Sequence, residues 1–533
     1  MRSYDYVIVG GGSAGCVLAA RLSELPDIRV LLLEAGPPDR DPYIHMPVGF
    51  GKMTGGGLTW GYATAPQKHC NNREIPYAQG RVIGGSSSIN AQIYTRGVPA
   101  DYDRWAFEEG CPGWSFAEIR HLFLRAEDND TFAGEWHGIG GPLGVSQLQP
   151  HPLTRAFVQA CQQAGIPYNP DFNGKAQAGS GVYQTTIRHG KRCSAAVGYL
   201  HPVRGRPNLD VMTDCRITKI LVEHGRAVGV RFLHFNNEQE VRAEREVLLC
   251  AGAIGSPKLL MLSGIGPADE LRRHGIELVH DLPGVGQNLH DHYGTDVIYE
   301  LHDQVSLDRY KKWHWMMWAG LEYKLFGKGP VASNIVEGGA FWFAEPDAPT
   351  PDMQFHFLIG AGVEAGVAAV PSGAGVTMNN YCLRPRSRGS VTLRSADPMA
   401  PPVIDPNYLA EPYDLKVSIA GLKKMREIMA QPAFARLIKR AHHPAELKDD
   451  REAEAFLRRS GRTSYHPVGT CRMGQDERAV VDPELRLRGI DGLRVCDASI
   501  MPSMIGSNTN APTIMIGEKA ADLIRGNRRQ TAA

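Results

Sequence analysis

The chain has 533 residues, of which 43% are hydrophobic and 22% charged, with a formal net charge of +1. This length exceeds what one hydrophobic core usually fills, so we expect two interleaved domains. The balanced charge and the lack of a dense lysine and arginine block argue against a nucleic-acid partner. No apolar run approaches the ~20 residues of a membrane span, and the first residues show no export signal. The cysteines lack metal-ligand spacing, so we expect a cytoplasmic protein, at most weakly peripheral to a membrane, with no bound metal.

The first 35 residues predict a strand, a glycine turn, a helix and a second strand. Residues 6–9 and 30–33 are apolar runs typical of buried parallel strands, and 17–22 supply an apolar helix face. Strands are also expected over 211–230 and at 246–250, and 296–380 is richer in aromatic residues and predicts a different layer. Helices are predicted within 101–127, 257–262, 412–430 and 512–525.

A phosphate-binding fingerprint, Gly10-x-Gly12-x-x-Gly15, follows the first strand and opens the first helix. The first glycine permits the tight turn, the second lets the backbone approach a diphosphate, and the third lets the helix pack closely. Glu34 ends the next strand, where its carboxylate can accept from ribose hydroxyls. The fingerprint alone leaves FAD and NAD both open.

A second glycine-rich stretch, residues 80–90, combines small residues with hydroxyl groups. Such a loop can wrap a planar ring and donate several backbone N–H groups to it. This stretch favours a flavin as the ligand.

Several ordered blocks of the chain resemble the glucose–methanol–choline (GMC) oxidoreductase family. The blocks are the fingerprint, 80–90, 252–266, 282–292, His466-Pro467-Val468-Gly469-Thr470 onward to 474, and Ser507-Asn508-Thr509-Asn510 onward to 513. Within the family the chain is most similar to bacterial L-sorbose dehydrogenases and next to choline dehydrogenases. The resemblance implies an α/β fold, with a Rossmann-like FAD-binding domain and an inserted substrate domain on a mixed or antiparallel sheet. It also implies three regions: 1–295 for FAD binding, 296–383 for a substrate-domain segment, and 384–525 for the catalytic return to the FAD domain.

The family resemblance assigns the chemistry to two residues. His466 occupies the position of the base that takes the hydroxyl proton, while a hydride passes from the alcohol carbon to flavin N5. Asn510 matches the second active-site position and can donate to the developing alkoxide without competing for the proton. The expected substrate is a primary alcohol, a ketose or polyol such as L-sorbose, with choline as the alternative. The expected electron acceptor is a quinone or a dye-like compound, with oxygen as the alternative.

The remaining site residues are expected around the cofactor and the substrate. Glu337 and Tyr465 are predicted to bind substrate, although a structural ion pair is the alternative for Glu337. FAD is expected to be noncovalent, because Ile89 stands where some relatives have a flavin-linking histidine. The other histidines, including His292 and His356, are interpreted as packing or supporting groups. The predicted FAD-binding residues are Gly10, Gly12, Ser13, Ala14, Gly15, Glu34, Arg81, Gly84, Gly85, Ser86, Asn90, Ala91, Asp497, Ala498 and Asn510.

The stretch 311–318 combines two lysines with three tryptophans. It is compatible with a membrane-surface helix that delivers electrons to a quinone. The interpretation we favour from sequence is a helix that caps the substrate pocket or is buried between subunits.

Overall fold

In the computed structural model, which describes residues 3–364 and 366–531, the fingerprint strand lies in the middle of a seven-stranded sheet. This nucleotide sheet is parallel where Ser3–Val9 pairs with its neighbours, and its outer hairpin is antiparallel. The strand order is Leu209–Met212, Val30–Leu33, Ser3–Val9, Asn237–Leu249, Arg226–His234 and Cys215–Glu223, and Leu493–Val495 also pairs with Asn237–Leu249.

Two helices from opposite ends of the chain pack together beside this sheet. Ser13–Leu22 follows the glycine turn, and Asn510–Thr531 is the last helix. A Cβ on Gly517 would lie 2.9 Å from the Cβ of Val17, so the two helices approach more closely than a larger residue would allow. The C-terminal segment therefore completes the domain that the N-terminal segment begins.

A second sheet of seven strands forms the substrate side of the molecule, and all of its pairings are antiparallel. The strand Tyr293–Leu301 belongs to this sheet, is buried along its whole length and contacts helices Pro412–Met429 and Asp450–Ser460. The strand order is Ile438–His443, Tyr293–Leu301, Gly375–Cys382, Met353–Leu358, Gly338–Trp342 and Gly179–Val182, and Arg462–Thr463 also pairs with Tyr293–Leu301. The sheet draws strands from all three predicted regions.

Further elements surround the two sheets. A four-stranded sheet has the order Ile93–Tyr94, Gln184–Thr185, Leu143–Gln147 and Glu127–Asn129. Helices of eight residues or more are also found at Pro99–Phe107, Phe116–Ala126, Pro152–Gln163, Gly252–Leu262, Trp313–Phe326, Pro412–Met429 and Asp450–Ser460. Shorter helices lie at Pro42–His45, Phe50–Met53, Ala268–Arg273 and Pro432–Ala435. Short strand pairs join 62–63 to 76–77, 187–188 to 191–192, 265–266 to 280–281 and 390–392 to 403–405.

The predicted fold class is confirmed: an α/β nucleotide-binding domain is joined to an antiparallel substrate domain. The predicted helical stretch at 101–127 consists of two helices, because the chain turns between Phe107 and Phe116. All ten cysteines are buried and free. Within residues 3–364 and 366–531, no helix combines the length and apolarity needed to cross a membrane.

Candidate active site

A long cavity of about 1990 Å³, including its mouth, runs between the two sheets. At one end it is lined by the fingerprint turn, and at the other by His466 and residues of the substrate sheet. The cavity therefore connects a nucleotide-binding region with a histidine.

The three fingerprint glycines differ in their surroundings. Gly10 has a φ of +104°, and a Cβ there would lie 2.4 Å from the carbonyl oxygen of Cys250. Gly15 packs the helix against the turn, because a Cβ there would lie 1.9 Å from the Gly10 oxygen. Gly12 lines the cavity, and a Cβ there would meet only the Cys250 oxygen, at 4.0 Å. Gly15 is thus a packing residue and does not itself line the cavity.

The start of the first helix is suited to a diphosphate. Gly12 precedes the helix and supplies no side-chain cap, while Ser13 and Ala14 line the cavity. The first N–H groups of a helix lack partners within the helix, and its dipole favours negative charge there. Because no side chain caps this helix terminus, its free N–H groups can bind the diphosphate of FAD.

Glu34 lies at the end of the second strand and lines the same part of the cavity. Its carboxylate accepts hydrogen bonds from the backbone N–H groups of Gly11 at 2.8 Å and Gly36 at 2.7 Å. Burial raises the pKa of Glu34 to about 7, against the opposing effect of these bonds. The acid is therefore held in place by the glycine turn.

The second glycine loop contacts the first. A Cβ on Gly85 would lie 2.7 Å from the Cα of Gly12. The loop residues that line the cavity are Gly80, Gly85, Ser86, Ile89, Asn90 and Ala91. Of these, Asn90 is oriented by Arg192, whose guanidinium donates to its side-chain oxygen at 2.7 Å.

Two predicted residues of this loop lie off the cavity. The Arg81 guanidinium stacks over the Trp60 ring at 5.9 Å and donates to the Gly57 oxygen at 3.5 Å. Gly84, with a φ of +88°, is in close contact with Ser88 instead. Arg81 and Gly84 thus shape the loop and do not line the cavity.

The C-terminal part of the chain closes the cofactor end. Asp497 and Ala498 line the cavity after the strand Leu493–Val495. The Asp497 carboxylate accepts from the Gly252 N–H at 2.9 Å and from the Ser256 hydroxyl at 2.5 Å. It therefore fixes the turn that precedes helix Gly252–Leu262.

The histidine at the other end has a different partner on each ring nitrogen. His466 Nδ1 lies 2.9 Å from His292 Nδ1, and His466 Nε2 lies 3.2 Å from Asn508 Nδ2. His292 Nε2 lies 3.1 Å from the carbonyl oxygen of Leu383. Since a carbonyl only accepts, His292 must carry its proton on Nε2, and its Nδ1 must accept from His466 Nδ1–H. The geometry thus leaves the lone pair of His466 on Nε2.

Burial keeps both histidines neutral. Burial lowers the pKa of His466 well below its ordinary value, and lowers the pKa of His292 to about 4. A neutral His292 that carries its proton on Nε2 keeps an acceptor on Nδ1 for His466, so charge and tautomer agree. At neutral pH, His466 is therefore a free base at Nε2.

Asn508, and not the predicted Asn510, is the amide that contacts His466. The side-chain oxygen of Asn508 accepts from Gln354 Nε2 at 3.1 Å and Thr95 Oγ1 at 3.2 Å, which directs its NH₂ group toward His466. Asn510 starts the last helix, and its side-chain oxygen accepts from Ser13 Oγ at 2.8 Å, at the cofactor end of the cavity. Asn508 and Asn510 lie two residues apart in the same sequence block. Asn508 precedes the last helix, whereas Asn510 is its first residue.

Glu337 is directed away from the cavity. Its carboxylate accepts from the His151 N–H at 2.7 Å, the Thr154 hydroxyl at 3.1 Å and the Ser333 hydroxyl at 2.8 Å. Burial raises its pKa, against these bonds. The predicted substrate role is thus not supported, and Glu337 ties together segments behind the cavity wall.

At the substrate end, the acid that lines the cavity is Glu364, which the sequence analysis did not single out. Arg462 contacts Glu364 at 3.1 Å and Asp296 at 2.8 Å. Tyr465, a predicted substrate residue, lines the cavity and donates to Glu364 at 3.4 Å. Its φ of +62° is left-handed, which turns the segment just before His466.

His356 also lies at the substrate end of the cavity, although the sequence predicted only a packing or supporting group. It lines the cavity, and its Nε2 has no hydrogen-bond partner among the described residues. Burial lowers the pKa of His356 to about 3, so the ring is neutral. An unpaired buried nitrogen in a cavity wall is suited to a substrate hydroxyl.

A nucleotide-binding domain whose cavity leads to a neutral histidine is the arrangement expected of a flavin-dependent oxidoreductase. Residues 4–294 and 385–517 match the two GMC oxidoreductase family profiles. The chain belongs to this family and is an FAD-dependent enzyme that oxidises the CH–OH group of an alcohol.

Individual relatives and solved structures agree with this placement. An alcohol dehydrogenase (acceptor) of Pseudomonas putida is 46% identical, over 98% of this chain and 95% of the relative. An oxygen-dependent choline dehydrogenase of Burkholderia multivorans is 44% identical, over 99% of this chain and 94% of the relative. The crystal structure of pyridoxine 4-oxidase from Mesorbium loti has a TM-score of 0.90 and 34% identity, covering 98% of this chain and 99% of that one. These relatives do not support the predicted assignment to the L-sorbose dehydrogenases.

Proposed function

We propose that the enzyme oxidises a neutral primary alcohol, with His466 as the base and Asn508 as the hydrogen-bond donor to the same oxygen. The observation that carries this proposal is the hydrogen-bond chain from Leu383 through His292 to His466, which leaves Nε2 unprotonated. A general base must be deprotonated and within reach of the proton that it takes.

The alcohol hydroxyl replaces the contact between His466 Nε2 and Asn508 Nδ2, which lie 3.2 Å apart, and lies beside them within hydrogen-bond reach of both. His466 accepts the hydroxyl proton, and Asn508 donates to the oxygen as negative charge develops there. When bound, FAD supplies the hydride acceptor. Thr95 and Gln354 hold the Asn508 amide in the donating orientation throughout.

The cofactor is proposed to lie along the other half of the cavity. Gly10, Gly12, Ser13 and Ala14 would hold its diphosphate and Glu34 its ribose. The ring would lie against the second glycine loop, with Asp497 and Ala498 beside it. We therefore retain the proposed division of the chain into an FAD-binding region, 1–295, a substrate-domain segment, 296–383, and a catalytic C-terminal region, 384–525.

Two features of the substrate wall favour a neutral alcohol. The charge of Glu364 is shared with Arg462, and both groups line the cavity, so a cationic substrate would approach a guanidinium. Next to them is an apolar lining of Phe50, Val336 and Leu358, which suits an apolar substrate body.

Choline is the second candidate, and Glu364 is the observation that favours it. A quaternary ammonium needs an anion or an aromatic cage, and Glu364 with Tyr381 and Tyr465 would supply both. If choline is the substrate, Glu364→Gln raises its KM strongly while leaving that of an aliphatic alcohol nearly unchanged.

An alcohol panel tests the substrate class. The holoenzyme is assayed with aliphatic primary alcohols, L-sorbose and choline, once with an artificial dye acceptor and once with oxygen alone. We expect the highest kcat/KM for a neutral primary alcohol with an apolar body, and faster turnover with the dye than with oxygen. A preference for choline or L-sorbose would contradict the substrate proposal, and a preference for oxygen would replace the dehydrogenase assignment with an oxidase.

A further inference from the structure

Helix Trp313–Phe326 exposes an unusual number of large apolar side chains. Trp313, Met317 and Trp318 are 70%, 65% and 62% exposed, and four further apolar residues of the helix are also exposed: Met316, Leu321, Leu325 and Phe326. Soluble proteins rarely leave so large a contiguous apolar surface facing water, and such surfaces mark interaction sites. The helix does not cap the substrate cavity, since none of its residues lines it, which corrects that part of the sequence interpretation.

The apolar residues occupy the outer side of the helix. Ala319 is the one residue of this helix that is fully buried, so it marks the side packed on the protein. Met317 and Leu321, two positions before and after it, point to the opposite side, because each residue turns the helix by about 100°. The helix has 14 residues, too few to span a bilayer, but it can lie in the plane of its surface.

The charged residues at the two ends of this face are basic. Lys312, Lys324 and Lys328 are exposed, whereas Lys311 is compensated by Asp308 at 2.7 Å. The only acid within 311–328 is Glu322, which is half-buried. Positive charge at a helix N-terminus opposes the helix dipole, so an anion near Lys312 would relieve it.

This charge pattern distinguishes between two possible partners of the exposed helix face, a second copy of the chain and a lipid bilayer. A second copy of the chain in a twofold dimer would place this face against itself, so that its basic ends would meet basic ends. The headgroups of an anionic bilayer instead complement the lysines, while Trp and Met side chains enter the boundary with the acyl chains. We infer that helix Trp313–Phe326 docks the protein on an anionic lipid surface, with Met317 and Leu321 at the centre of the contact.

Vesicle flotation of the FAD-loaded enzyme tests this inference. The vesicles are phosphatidylcholine alone or phosphatidylcholine with phosphatidylglycerol, at low and high salt. One variant combines Met317→Glu with Leu321→Glu, and another replaces Lys312, Lys324 and Lys328 by Gln. The matched control is Phe107→Glu, since Phe107 is a 77% exposed apolar residue at the end of another helix. Flavin content and dye-coupled alcohol oxidation verify that each variant is folded.

The wild type and Phe107→Glu are expected to float with the anionic vesicles. The apolar variant is expected to stay unbound, and the lysine variant to bind on the order of 10²-fold more weakly. Failure of the wild type to float, or equal flotation of the apolar variant, would overturn the inference. Sedimentation velocity without lipid supplies a further test, because a wild-type dimer that becomes monomeric in the apolar variant would identify a second copy as the occupant.

Discussion

The two nitrogens of His466 have separate tasks at the scale of single residues. Nδ1 is tied to His292, and Nε2 is left for the substrate, as the position of the Leu383 carbonyl requires. The arrangement resembles an orienting carboxylate that fixes a catalytic histidine, with a neutral ring in its place. We therefore propose that His292 is a positioning residue that acts through His466.

Replacing His292 by Asn or by Leu separates positioning from packing. The side chains of Asn and Leu branch at the same atom, but only Asn keeps an acceptor for His466 Nδ1–H. We expect kcat/KM to fall by about 10²-fold in the Leu variant, less than the roughly 10⁴ for loss of an orienting carboxylate, with partial recovery in the Asn variant.

The pH profile of kcat/KM adds a readout that packing would not affect. Burial lowers the pKa of His466, so the wild type should lose activity only as the pH falls below the ordinary histidine pKa of about 6.5. The Leu variant removes an acceptor that stabilises the imidazolium, so its acid limb should move to lower pH. Equal rates and equal profiles for Asn and Leu would show that His292 is only a packing residue.

Asn508→Ala and Asn510→Ala are a matched pair that tests the corrected assignment. Loss of the Asn508 donor should lower kcat by about 10²-fold or more, in the range known for single oxyanion donors, with FAD still bound. Loss of Asn510 removes only its bond to Ser13 and should mainly weaken FAD binding. Steady-state kinetics and flavin titration distinguish the two, and the reverse pattern would restore Asn510 as the substrate partner.

The sequence predicted some site residues and missed others for physical reasons. His466 was identified by the motif around it. The choice between Asn508 and Asn510 depends on where the last helix begins, which the motif does not show. Glu337 is a buried acid, and two of its three donors, His151 and Thr154, come from a distant segment, so the sequence did not show where its carboxylate points. Glu364 carried no motif, and its place in the cavity depends on pairing with Arg462 across the sheet.

At the scale of elements, the fingerprint turn separates cofactor binding from folding. Gly12 has φ −79° and ψ −162°, which alanine can adopt, and its Cβ would project toward the cavity. Gly12→Ala should therefore weaken FAD binding while changing the free energy of unfolding of the apoprotein by no more than about 1 kcal/mol. Gly15→Ala should cost about 1–3 kcal/mol, because its Cβ would collide with the Gly10 backbone. Urea unfolding and FAD titration measure both, and comparable stability losses in the two variants would contradict this division of roles.

The nucleotide sheet was more predictable than the substrate sheet. Its first two strands, Ser3–Val9 and Val30–Leu33, contain short, buried apolar runs that the sequence displays directly. The antiparallel sheet is assembled from strands as far apart as 179 and 463, and its order follows from long-range pairing that no local pattern specifies.

At the scale of the whole molecule, we expect FAD to be held only by noncovalent contacts that the folded protein provides. Ile89 lines the cavity where a linking histidine would stand, and burial raises the pKa of the nearby Cys250 thiol, which disfavours the nucleophilic thiolate. Acid precipitation should therefore release all the yellow flavin into the supernatant. Flavin fluorescence that stays with the washed, denatured protein would contradict noncovalent binding.

The central claim is that His466 takes the proton from an alcohol and so permits reduction of the bound FAD. Anaerobic stopped-flow absorbance tests it most directly, with one enzyme preparation mixed with the best alcohol of the panel. We predict rapid bleaching of the flavin in the wild type, and bleaching slower by roughly 10²-fold or more in His466→Ala, with equal flavin content. Bleaching of His466→Ala at the wild-type rate at pH 7 would contradict the claim.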